Sequence, residues 1–209
     1  MSRPTIITIS GKPGSGKSST ADRVAELLGY TRHSSGDIVR QLVKEQGITL
    51  AQFNRRAATD ASYDDLIDHK LRDLRTQNDI VVDSRLGFYW IPESFKVYLD
   101  LDMDVATARI FKDAVRNENR ASETASVHSI VDARKHVNAR MNAEMRRFSR
   151  KYGINPYDTT HFDLVVNTSR HSPQTVALTV FDTYKQWLRS KEWRQVKSAV
   201  PMGYSYDTD

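Results

Sequence analysis

The chain contains no cysteine. That excludes a disulfide framework, a thiolate zinc site and a cysteine nucleophile. It has no apolar run approaching the roughly 18 residues needed to cross a bilayer as a helix. Its first ten residues, MSRPTIITIS, pass directly into an apolar strand pattern, so no signal peptide is expected. It carries no internal repeat, low-complexity segment or Pro/Gly-rich linker, and only 6 prolines and 9 glycines in 209 residues. No Asn-Lys-x-Asp guanine motif occurs, which argues against a GTPase. What is present is an ordinary globular balance, with 39% hydrophobic and 27% charged residues. The length suits a single domain with a buried core. A cytoplasmic protein with no membrane partner is expected, as a monomer or weak homo-oligomer.

Three of the nine glycines fall in one stretch. Gly11-Lys12-Pro13-Gly14-Ser15-Gly16-Lys17-Ser18 fits the phosphate-loop pattern G-x-x-x-x-G-K-[ST]. It follows the apolar run Ile6–Ile9 and precedes a helical pattern through Ala21, Val24, Ala25 and Leu28. Glycines let the backbone wrap an anion and turn its N–H groups inward. Lys17 can then reach the β- and γ-phosphates of ATP, and the Ser18 hydroxyl can ligate Mg²⁺. Gly11 to Ser19 is accordingly the expected cofactor-binding segment.

The remaining pattern alternates strands with helices. Strands are expected at 5–10, 30–34, 80–82, 95–99 and 162–166, and helices at 16–29, 37–77 (with breaks near Gly47 and 59–62), 104–115, 127–152 and 173–193. This predicts an α/β fold: three layers around a central parallel sheet, with ligands at the carboxyl ends of the strands. One domain is expected over 1–193, with acceptor-side helices at 36–78, a mobile lid loop at about 113–128 and a tail over 194–209.

Ser34-Ser35-Gly36-Asp37 and Asp83-Ser84-Arg85 also follow strands, so they should share the cleft with the phosphate loop. Arg40 sits one turn into the next helix, and Arg85 lies just past a strand end. Phosphoryl transfer needs positive charge on the migrating group more than it needs covalent chemistry. Asp83 can hold Mg²⁺ through water or pair with Arg85. On the long helix, Arg140, Glu144 and Arg147 form a row at i, i+4, i+7 beside the apolar stripe Val137, Met141, Met145, Phe148 and Tyr152. That row can face a cleft or form exposed ion pairs. Arg109 and Arg116 precede the polar loop 117–126. The 20 arginines against 11 lysines and the net charge of +5 suit phosphate ligands.

These features together resemble the cytidylate kinases, in the short form without a large inserted domain, within the nucleoside monophosphate kinases. Ser35-Gly36 with Arg40, Asp83-Ser84-Arg85, Arg109 in FKVYLDLDMDVATARI, Arg140-x-x-x-Glu144-x-x-Arg147, and FDLVVNTS carry the resemblance, which runs from about Thr5 to Phe181. It implies ATP- and Mg²⁺-dependent transfer to CMP or dCMP. Lys17, Arg109 and Arg116 would act on the transferring group. Ser35, Arg40, Asp83, Arg85, Arg140, Glu144 and Arg147 would bind the substrate, with Glu144 accepting from the cytosine amine. Ser-Gly-Asp also matches the adenylate kinase corner. Transfer to AMP, UMP or another small acceptor therefore stays open, as does a nucleotide- or nucleic-acid-binding module with little transferase activity. Nucleic acid is disfavoured because the basic span 134–151 is interleaved with apolar positions and lacks a stacking platform.

Overall fold

The computed structural model describes residues 3–60, 62–116 and 127–198. Its centre is a six-stranded, wholly parallel sheet: β1 (Ile6–Gly11), β2 (Thr31–Ser34), β3 (Ile80–Asp83), β4 (Phe95–Asp100), β5 (Leu164–Asn167) and β6 (Val196–Ser198). The strand order is β2-β3-β1-β4-β5-β6. The β1 and β3 sequences, IITISG and IVVD, are buried along their whole length. Such near-continuous burial is what a parallel sheet covered on both faces requires.

The covering helices are α1 (Lys17–Leu28), α2 (Ser35–Glu45), α3 (Leu50–Thr59), α4 (Ser62–Asp73), α5 (Gly87–Trp90), α6 (Met103–Arg116), α7 (Ile130–Tyr152) and α8 (Pro173–Arg189). One face buries Ile7, Ile9, Val81, Val97 and Leu99 against Ala21, Val24 and Ala25 of α1 and Val176, Val180 and Tyr184 of α8. On the other face, Ile6, Ile80 and Val82 meet Leu71 of α4 and Leu74. Local chemistry sets the boundaries. The Ser34 hydroxyl accepts from the Gly36 amide, Thr49 and Gln52 form a capping box, and Ser129 and Ser172 cap α7 and α8.

The carboxyl end of the chain departs from the sequence expectation. α8 stops at Arg189, short of Trp193, and residues assigned to a tail form β6. The Trp193 indole donates to the Asp163 carbonyl at 3.2 Å, and the Val196 amide donates to the same carbonyl at 2.9 Å. These bonds turn the chain parallel to β5, with Val196 opposite Leu164. The expected lid loop falls mostly on residues 117–126, outside the described residues.

Candidate functional site

Parallel register fixes the floor of the site. Ile9 lies opposite Asp83, and Ser34 lies opposite Asp83 on the other side. The loops leaving β1, β2 and β3 therefore open at one level of the sheet edge. They bound a cleft of about 690 Å³, lined by the phosphate loop, Ser35, Gly36, Arg40, Asp83–Arg85, Arg109, Arg140 and Glu144.

The phosphate loop needs glycine for two different reasons. At Gly11 the β4 backbone comes so close that any Cβ would run into the Leu99 carbonyl, and Gly16 takes φ of 82° to turn the chain into α1. Lys17 lies inside this turn, where its ammonium donates to the Gly11 and Lys12 carbonyls at 3.2 Å each. Burial, and then the Arg85 charge, hold its pKa well below the ordinary lysine value. Lys12 turns away to pair with Asp100 at 2.6 Å. Ser19 is exposed at the cleft rim, and Ser15 lines the cleft with its hydroxyl buried and unbonded among the described residues.

Ser18 Oγ donates to Asp83 Oδ2 at 2.7 Å. A hydroxyl and a carboxylate side by side beneath a phosphate loop fit Mg²⁺, which takes most of its ligands from phosphate and water. Arg32, unforeseen in the sequence, donates to the same Asp83 oxygen at 3.3 Å and also pairs with Asp22 and Asp37. On a short edge strand its position alone gives no such signal. Ser35 reaches the Asp83 carbonyl at 3.4 Å, and Arg40 is exposed and paired with Asp37.

The row on α7 divides. Glu144 is half-buried: its carboxylate accepts from Arg85 Nε at 2.7 Å, from Arg140 Nε at 3.1 Å and from the Tyr157 hydroxyl. Despite burial, which acts to raise it, the two arginines bring its pKa down to about 2. The folded value lies below the ordinary 4.5, so the ionised carboxylate contributes stability above that pH and loses it as pH falls toward 2. Melting temperature should drop across this window, and Glu144→Gln should flatten that part of the curve.

Arg147 does not join Arg85, Arg140 and Glu144 at the cleft. Two turns below Arg140, it meets α4, where Nε donates to the buried Asp64 at 2.8 Å. Lys151 pairs with Asp65 at 2.7 Å, and the Tyr152 hydroxyl donates to Asp68 at 2.5 Å. This seam ties α4 to α7. Arg147→Ala should cost about 1–3 kcal/mol in chemical denaturation, since Asp64 stays buried with a weaker partner.

Arg109 reaches the cleft from α6, donating to the Gly14 carbonyl at 3.2 Å and the Thr168 carbonyl at 2.7 Å. It thereby braces the phosphate loop against the end of β5. The Arg116 side chain lies outside the described residues. Tyr157 and Asp64 were also unforeseen; Asp64 meets Arg147 from a segment far away in the chain, and Tyr157 reaches Glu144 across the turn that ends α7.

Comparison with known proteins gives a consistent result. The model of a family described as cytidylate kinase-like matches residues 6–170. A protein named cytidylate kinase from Halobacterium salinarum is 38% identical over 180 residues, covering 85% of this chain and 88% of that protein. Another of that name from Methanocella arvoryzae is 34% identical over 177 residues, covering 84% and 94%. Among solved structures, shikimate kinase from Bacteroides thetaiotaomicron superposes with a TM-score of 0.59 at 10% identity, covering 89% of this chain and 99% of that one. At that identity the likeness concerns the fold alone. Among the described residues, no helix is long and apolar enough to cross a membrane.

Proposed function

The chain belongs to the cytidylate kinase-like family, and from that premise we propose that it transfers the γ-phosphoryl group of ATP to CMP or dCMP, giving the diphosphate. The observation that carries this reading is the single cleft in which a phosphate loop faces Arg40, Arg85 and Arg140. One side is built for a polyphosphate donor. The other offers three guanidinium groups to a second, smaller anion.

The attacking atom is an oxygen of the acceptor's own phosphate, which is largely ionised at neutral pH, so no general base is required. The chain's task is to place two anions end to end and offset their repulsion. The loop amides and Lys17 hold the donor's β- and γ-phosphates. Ser18 and Asp83 would hold Mg²⁺, which neutralises charge on the donor oxygens. Arg40, Arg85 and Arg140 orient the acceptor phosphate, with Ser35 beside them. Arg109, on α6, adds positive charge near the transferring group, a role the resemblance extends to Arg116. Arg147 is assigned to the α4–α7 tie. The site belongs in the cytoplasm, where ATP and nucleoside monophosphates are found, on a monomer or weak homo-oligomer.

Polyphosphate beside Lys17 should raise its lowered pKa again. Binding of ATP at alkaline pH is therefore expected to take up protons, and calorimetry in buffers of different ionisation enthalpy would register it. The function itself is tested by ADP formation from ATP and Mg²⁺ with CMP, dCMP, UMP, AMP and GMP. Turnover concentrated on CMP and dCMP is expected. Turnover concentrated on another acceptor would overturn the substrate assignment, and none at all would overturn the reading as a kinase.

A further inference from the structure

The resemblance gives Glu144 a role at the base of the acceptor. Its contacts point elsewhere. The carboxylate already serves three donors: Arg85 Nε at 2.7 Å, Arg140 Nε at 3.1 Å and the Tyr157 hydroxyl. Arg85 is held at a second edge as well, where Nη1 donates to the Gly11 carbonyl at 2.9 Å. With Nε and Nη1 engaged, the guanidinium plane is fixed. Nη2 is the arm of Arg85 that no described residue accepts from, and Arg85 lines the cleft.

Tyr157 reaches this carboxylate because of the way α7 ends. Gly153 takes φ of 68°, the chain doubles back, and the Asn155 side chain accepts from the Tyr157 amide at 3.0 Å. The Tyr157 ring packs beside Leu86, Phe88, Tyr98 and Phe162, which are buried. Its hydroxyl is thus delivered to Glu144 from a stiff aromatic cluster.

We propose that Tyr157 is a positioning residue for the acceptor-side arginines: it fixes the Glu144 carboxylate, and Glu144 orients Arg85 and Arg140 toward the acceptor's phosphate instead of reading its base. This rests on the proposed monophosphate kinase function. The acceptor chemistry it addresses is the phosphate common to every nucleoside monophosphate. Discrimination between cytosine and uracil then lies outside this carboxylate.

Calorimetric affinities for CMP, UMP and ATP, measured on wild type, Tyr157→Phe and Glu144→Gln, test the proposal. Loss of a hydrogen bond to a half-buried charge should weaken CMP and UMP binding by about tenfold in Tyr157→Phe. Glu144→Gln should weaken both by at least as much. In each variant the ratio of CMP to UMP affinity should stay within about twofold of wild type, and the affinity for ATP should fall several-fold less than that for CMP, because Arg85 meets the phosphate loop at the Gly11 carbonyl alone. A collapse of the CMP-to-UMP ratio in Glu144→Gln would restore the base-reading role and overturn the proposal. So would unchanged CMP affinity in Tyr157→Phe, or a parallel loss of ATP affinity signalling general damage. Wild-type protein that binds CMP without transferring phosphate would overturn the kinase function alone, and the same affinities would still decide the brace. Wild-type protein that binds neither monophosphate would overturn both.

Discussion

Replacing Lys17 with Ala is expected to lower kcat by about 10²- to 10³-fold, the usual cost of deleting one preorganised group that stabilises developing charge. The ammonium sits within the loop, between the carbonyls of Gly11 and Lys12, so its placement is already fixed by the fold. Its cost is also already met, since burial holds its pKa well below normal. A buried cation that anion binding relieves interacts more strongly with phosphate than an exposed one. Lys17→Met, of similar length without charge, should behave like Lys17→Ala; activity within a few-fold of wild type in either variant would remove Lys17 from the chemistry. Steady-state kinetics with saturating ATP and CMP is the measurement.

Replacing Arg85 with Ala is expected to raise KM for CMP by about 100-fold, roughly two charge-assisted hydrogen bonds' worth of binding. KM for ATP should change far less, because Arg85 meets the loop only at the Gly11 carbonyl. The substitution also leaves the half-buried Glu144 with Arg140 and Tyr157 alone, so its carboxyl should titrate higher, the stability it contributes above the ordinary 4.5 should shrink, and the fall in stability below that pH should flatten. Arg85→Lys keeps the charge but cannot bond Glu144 and Gly11 at once, so it should recover stability better than it recovers KM. Unchanged KM for CMP in Arg85→Ala would sink the assignment of this residue to the acceptor phosphate.

The two halves of the site differ in how far they could be read without coordinates. The phosphate loop is local: strand, glycine turn and helix are consecutive in the chain, and Gly11, Gly16, Lys17 and Ser18 stand where the loop's own backbone demands them. The approach of Asp83 and Arg85 was legible too, because parallel strands with helical crossovers bring their carboxyl ends to one edge. The expected helix breaks near Gly47 and 59–62 fall between α2, α3 and α4 for the same local reason, with Thr49 supplying a capping box.

The acceptor side was less legible. Spacing on α7 puts Arg140, Glu144 and Arg147 in one row, but says nothing about what each meets across the gap. Glu144 meets Arg85 after β3 as well as Arg140 on its own helix, while Arg147, one turn on from Glu144, meets Asp64 of α4. The C-terminal strand shows the same limit. Residues 196–198 have too little apolar character to announce a strand, and become one because β5 offers an open edge and Trp193 anchors the turn.

By itself, then, the sequence determined the phosphate loop, the parallel α/β order and the edge of the sheet where ligands gather, because each follows from periodicity and turn chemistry within a few dozen residues. Only the tertiary structure decided which charged side chains pair. A carboxylate withdrawn from solvent takes the cations that the packing of other segments places within about 3 Å, in addition to any partner on its own helix. Glu144 with Arg85, Asp64 with Arg147, and Asp83 with Arg32 are settled in that way.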